Sequence, residues 1–200
     1  MRTLDEVRAV GRFLGRFPGP WWIAGGWAID LWLDSVSRDH EDIEVSVLRQ
    51  DQAALRVYCG AWPMFTPRNN EWVPLPPDEQ LVLPEFQLQV RPLPDAPPDP
   101  SGLPPEFEFM LNDVEAGQWI FRPEPRLRRA WEYVRLPGTA GLPVTAPEVQ
   151  LLHKARHHRP KDEHDFAQVR PHLNPEQRLW LHTALAEIRP TDPWLAQLEE

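Results

Sequence analysis

Apolar residues recur with a helical period at the start of the chain and with a strand period soon after. Leu4, Val7, Val10, Phe13 and Leu14 fall on one side of a helix predicted over residues 3–17, which Pro18-Gly19-Pro20 stops. Residues 21–24 read as a buried strand and 26–33 as a helix. Over 40–48 the period becomes two: Ile43, Val45 and Val47 point to one face, Asp42 and Glu44 to the other. A helix is predicted over 51–59 with Asp51 as N-cap. Residues 81–90 contain a strand that Pro84 limits to one end or an edge. Residues 106–111 and 118–122 read as a hairpin joined through Asn112-Asp113 and Gly117. Beyond residue 123 helices follow, over 147–158 opened by Pro147, over 161–169, and over 175–188 behind Asn174, with a final turn over 191–198. The pattern predicts an α+β protein: an α/β domain with a mixed sheet over 1–123, a small helical domain over 124–200, and a cleft between them.

Composition narrows this picture. With 200 residues, 42% hydrophobic and 26% charged, the chain is long enough to bury a core. A single cysteine, Cys59, excludes an intrachain disulfide. There is no basic-then-apolar N-terminal signal and no apolar run that would span a membrane, so a cytoplasmic protein is expected. The net charge of −9 argues against nucleic acid as partner and is compatible with a cationic one. Of 25 prolines, 11 lie between Pro74 and Pro105, which marks that stretch as mostly loop. Its acidic residues include Glu79, Glu85, Asp95 and Asp99, against Arg91. If it borders the cleft, it would favour a cationic or neutral small molecule over a phosphate backbone.

The chemistry concentrates in Gly25-Gly26-Trp27 and in Arg38-Asp39-His40-Glu41-Asp42-Ile43-Glu44. Two glycines let backbone approach another group closely, and they open a helix whose N–H groups favour phosphate. Asp42 and Glu44 repel one another unless a cation neutralises them. Two hard oxygen ligands beside a phosphate cradle are what Mg²⁺-assisted phosphoryl transfer requires. A third carboxylate on a neighbouring strand has three candidates, Glu106, Glu108 and Asp113, of which Glu108 lies at mid-strand. His40 would orient a carboxylate, contact phosphate or pack locally. Asp30, one turn along the helix, reads as structural. His153 and His157 have the spacing of a helical metal pair, but Lys154 stands where a metalloprotease has Glu, so a solvated basic helix end is the better reading.

These residues resemble the nucleotidyltransferase superfamily that includes DNA polymerase beta, and within it the aminoglycoside and lincosamide adenylyltransferases. The matching residues are Gly25, Gly26, Trp27, Arg38, His40, Asp42 and Glu44, with Glu44 where Asp is commoner. The resemblance covers roughly residues 5–173 in pieces. It implies transfer of AMP from ATP to a hydroxyl of a small-molecule acceptor, with two Mg²⁺ ions held by Asp42, Glu44 and Glu108. Glu108 would also act as general base, Glu106 being second choice. It further implies a nucleotide site made of Gly25, Gly26, Trp27, Arg38 and His40, which Lys154 or Lys161 would reach from the helical part. Modification of a protein or tRNA, or nucleotide binding without catalysis, are the other readings. Acceptor identity and oligomeric state are not legible.

Overall fold

The computed structural model describes residues 1–94 and 102–199. A mixed sheet forms its centre, in the order β4-β3-β5-β6-β2-β1-β10-β9. The strands are β1 (Trp21–Ile23), β2 (Glu44–Leu48), β3 (Met64–Arg68), β4 (Glu71–Pro74), β5 (Gln87–Val90), β6 (Phe107–Glu115), β7 (Gln118–Ile120), β8 (Arg128–Ala130), β9 (Arg135–Pro137) and β10 (Pro143–Thr145). The helices are α1 (Leu4–Leu14), α2 (Gly25–Leu33), α3 (Gln52–Cys59), α4 (Pro147–Lys154), α5 (Pro160–Val169), α6 (Pro175–Ile188) and α7 (Trp194–Glu199). The α+β class with a mixed sheet and C-terminal helices is as expected from the sequence. No helix is long and apolar enough to cross a membrane among the described residues.

The two faces of the central strands separate core from cleft. β2 and β6 run parallel, with Glu44 opposite Glu108, Val45 opposite Phe109, Ser46 opposite Met110 and Val47 opposite Leu111. Val45, Val47, Phe107, Phe109 and Leu111 are fully buried against Val10, Phe13 and Leu14 of α1 and Leu55 and Cys59 of α3. The alternate residues therefore line the other face. A second core joins β7, Phe121 and α4 to α7, and contains the near-coplanar stack of Phe166 and Trp194, 4.1 Å between centroids. α2 belongs to both cores, giving Trp27, Ala28 and Leu31 to one and Ile29 to the other. A helix apolar all round is one that is buried all round.

The structure corrects several expectations. β2 begins at Glu44, so Asp42 lies in the loop just before it. The β3–β4 hairpin was not foreseen: Asn69 and Asn70 turn the chain at φ 54° and 63°, the left-handed pair that a two-residue hairpin demands. Asn112 and Asp113 lie inside β6, and the turn to β7 is made by Ala116 and Gly117 at φ 49° and 76°. The stretch 128–145 contributes three strands. β10 pairs in parallel with β1 and β9 pairs with β10, so the all-helical part begins at Pro147 rather than at residue 124. α4 ends at Lys154, short of the expected His158, which adopts φ 49°. In the Pro-rich stretch, Glu79 and Glu85 are both bound by Arg68, while Asp95 and Asp99 lie outside the described residues.

Candidate active site

A cleft of about 440 Å³ opens between the polar face of β2 and β6 and the helices α4 and α5. Its floor includes Glu44, Ser46, Met110 and Asn112. At one end stand Gly25 and Gly26, Asp42 and Glu44, and Lys154, Arg159 and Lys161 face them from the helical side.

The two glycines accommodate the protein's own side chains. Gly25 has φ 66°, and a Cβ there would come within 1.9 Å of Glu44 Oε2. A Cβ on Gly26 would meet Arg38 Nη2 at 2.4 Å and the His40 ring at 2.5 Å. The Gly25 N–H donates to Gln150 Oε1 at 2.9 Å, tying the start of α2 to α4. Ala24 precedes α2 without any side-chain cap.

Behind the turn lies a chain of polar contacts. Ser37 donates to Asp30 Oδ1 at 2.7 Å, and Asp30 Oδ2 meets His40 Nε2 at 2.6 Å. His40 Nδ1 lies 3.1 Å from Arg38, whose guanidinium forks onto Asp165 with both contacts at 2.8 Å. Asp165 also takes Lys154 Nζ at 2.6 Å, and Asp162 holds Arg159 at 2.8 Å. Hydrogen bonds and the nearby cations outweigh burial, so both Asp162 and Asp165 stay below the ordinary carboxylate range. Removing one member of such a buried set strands its partners.

The predicted site residues thus divide. Gly25, Gly26, Arg38, Asp42, Glu44, Lys154 and Lys161 line the cleft. Trp27 and His40 are buried, stacked on each other at 4.4 Å, and support the turn from behind rather than facing the cleft. The side chains of Arg38 and Lys154 are engaged by Asp165, whereas Lys161 has no ion-pair partner among the described residues. Of the candidates for a third acid, Glu106 pairs with Arg91 at 3.5 Å and Asp113 with Arg49 at 2.8 Å. Glu108 shares the register and face of Glu44 and accepts from Gln87 at 2.6 Å. Gln150, Asp165 and Arg159 were not singled out from the sequence as site residues. All three fall within the span of the resemblance, but nothing local assigned them a role.

The acids are electrostatically frustrated. Burial pushes Glu44 up to about 7, with Asp42 and Glu108 adding to the shift and Lys154 and Lys161 opposing it. Burial likewise raises Glu108, against the hydrogen bond from Gln87. Such a set fits a hard divalent cation by its chemistry: oxygen donors of excess negative charge, partly desolvated. As they stand, no three His, Cys, Asp or Glu side chains converge on one point among the described residues. Glu44 rests against Gly25 and Glu108 against Gln87, so Asp42 and Glu44 are the pair best suited to hold an ion.

The sequence model of the aminoglycoside-2''-adenylyltransferase family matches residues 6–59, which include the glycines, Arg38, Asp42 and Glu44. Comparison with curated proteins gives no match. Among solved structures, the lincomycin-bound lincosamide antibiotic adenylyltransferase LnuA is similar over 84% of this chain and 96% of its own, at 14% identity and TM-score 0.53. ANT(2'')-Ia in complex with adenylyl-2''-tobramycin is similar over 90% of this chain and 95% of its own, at 13% identity and TM-score 0.58. An antigenic nucleotidyltransferase-like protein from Paracoccidioides brasiliensis is similar over 98% and 91%, at 19% identity and TM-score 0.50.

Two outcomes are expected. Asp165→Asn leaves half-buried Arg38 and buried Lys154 without their anion and should lower unfolding stability by about 3 kcal/mol in denaturant titration; a loss below about 0.5 kcal/mol would refute the linking role. Glu44, raised in the folded protein from 4.5 to about 7, contributes stability that is full below pH 4.5 and lost as pH rises through 7. Relative to Glu44→Gln, the wild type should therefore lose stability between pH 4.5 and 8 by at most about 3 kcal/mol; parallel pH profiles would contradict the frustrated acid cluster.

The resemblance read from the sequence holds: in the family model over residues 6–59, and in a fold shared with two antibiotic adenylyltransferases over most of the chain, the enzyme class in both being nucleotidyltransferase.

Proposed function

We propose that the protein is a Mg²⁺-dependent nucleotidyltransferase that moves AMP from ATP to a hydroxyl of a small-molecule acceptor. The observation that supports this reading is Glu44 packed against the Gly25 turn, with Asp42 in the loop just before it and Glu108 opposite it in the register, in a cleft that Asp42, Glu44 and Lys161 line. The matched family and the neighbours LnuA and ANT(2'')-Ia, which bear lincomycin and adenylyl-2''-tobramycin, support a small hydroxylated acceptor over a macromolecule.

In this reading the turn at Gly25-Gly26 and the start of α2 receive the phosphates, and Lys161 neutralises their outer end. Asp42 and Glu44 would hold Mg²⁺, which when bound supplies charge neutralisation and alignment of the phosphates. Glu108 takes the proton of the acceptor hydroxyl; burial raises its affinity for protons, which strengthens it as a base. The acceptor oxygen forms a bond to the α-phosphorus, the bond to the bridging oxygen breaks, and pyrophosphate leaves. Arg38, fixed by Asp165, and Gln150, bonded to Gly25, keep the turn and the acids in register.

MgATP should raise Tm, and ATP with a chelator should do so much less. Asp42→Asn and Glu44→Gln should each remove that metal-dependent difference and lower transfer by roughly 10²-fold while leaving the fold intact. Equal Tm shifts with and without divalent metal, or full activity in both variants, would refute the assignment.

A further inference from the structure

The cleft has a second end that the chemistry above leaves unused. From Glu44 opposite Glu108, the two floor strands run four residues on to Leu48 opposite Asn112, about 13 Å at ~3.3 Å per residue. There Arg122, from the turn after β7, sits over Phe86 with its Cζ 3.2 Å from the ring centroid. Arg156, just past the end of α4, lines the cleft as well. At the opposite end Arg38 and Lys154 have Asp165 and Arg159 has Asp162, while Lys161, unpaired among the described residues, is the cation assigned above to the nucleotide phosphates. Near Arg122, Arg49 has Asp113. Arg122 and Arg156 lack an ion pair with any described residue, although both line the same cavity.

This arrangement is costly without a ligand. Arg122 is held down to about 10, first by burial and then by repulsion from Arg156 and Arg49, which the attraction of Asp113 does not offset. His153, between Phe121 and Trp119 at 5.0 and 5.8 Å, is pushed down to about 3 by burial and by Arg122 and Arg156, so it stays neutral and adds polarity without charge. A partly desolvated arginine beside like charges is relieved by an anion, and its planar fork suits a phosphate or carboxylate. Two acidic side chains of the Pro-rich stretch, Glu79 and Glu85, are bound by Arg68.

We propose that Arg122 and Arg156 bind an anionic group of the acceptor, a phosphate or carboxylate, while Phe86 and Trp119 cover its apolar part. The acceptor is then an anionic hydroxylated small molecule and not a polycation. This deepens the nucleotidyl-transfer reading and rests on it, since the glycine turn and Lys161 are there assigned to the nucleotide phosphates.

The test is calorimetric titration of inorganic phosphate into wild type, Arg122→Gln, Arg156→Gln and Lys161→Gln, with and without a saturating nonhydrolysable ATP analogue and Mg²⁺. Phosphate should bind with the analogue in place. Affinity should fall about tenfold in each arginine variant and remain in Lys161→Gln. Arg156 is exposed, so its variant reads the site even if Arg122→Gln loses the Phe86 stack and folds poorly. Glucuronate and glucose 6-phosphate then tell carboxylate from phosphate, and both should bind more tightly than glucose or glucosamine. Displacement of phosphate by the analogue would give the arginines to the nucleotide and overturn the proposal. So would absent phosphate binding, equal affinity in all variants, or tighter binding of glucosamine. If the analogue itself fails to bind, the nucleotidyl-transfer reading falls and the acceptor assignment with it, while phosphate titration of the free protein still reports whether the arginines form an anion site.

Discussion

The buried carboxylate of Asp165 is the contact on which the site depends. It takes the fork of Arg38 from the loop before β2 and the amine of Lys154 from the end of α4. The first belongs to the segment that carries Asp42 and Glu44, the second to the opposite wall of the cleft. One anion thus fixes the separation of the two walls. The charge balance is favourable only because two cations share it and hydrogen bonds complete it. From Arg38 the contacts continue through His40 to Asp30 on α2, so the glycine turn, the acid strand and the helical layer are held as one unit.

Within that frame, the glycines act by close packing. Phosphate approach is one reason for small residues at the start of α2, and the close packing of Glu44 against Gly25 and of Arg38 and His40 against Gly26 is a second. Both roles need the same missing Cβ, so the sequence pattern could not distinguish them. The consequence is functional: Glu44 is pressed into a confined position, and burial first, then the negative charge of Asp42 and Glu108, raises its proton affinity, a charge that a bound cation would neutralise. The cleft is therefore polarised, with uncompensated acid at the Gly25 end and uncompensated arginine at the Phe86 end.

Much of this was legible from local pattern. Residues 43–48 alternate strictly enough to assign both faces of β2, and Gly25-Gly26 followed by an apolar run marks α2. What stayed hidden has physical causes. β8, β9 and β10 are three residues each, too short to show a period, and β10 gains its place only by pairing with β1 across the sheet. Pro67 disguised β3, yet it lies beyond the two residues that β3 pairs with β5 and so costs no ladder bond there. Gln150 and Asp165 looked like ordinary helix-surface residues, because their partners Gly25 and Arg38 are 125 and 127 positions away. The match over residues 6–59 reflects the same asymmetry, for the recognisable signal sits where glycine turn and acids are close in sequence.

The central claim is attack at the α-phosphorus of ATP by a hydroxyl group positioned over the acid cluster. It is tested most directly by incubating the protein with MgATP in ¹⁸O-labelled water, with and without a panel of hydroxylated acids as acceptors, and resolving the products by mass spectrometry. The account predicts pyrophosphate as the leaving group, with AMP joined to an acceptor or, where water substitutes for it, ¹⁸O in AMP. Formation of ADP with ¹⁸O in inorganic phosphate, or ATP left intact under every condition, would contradict it.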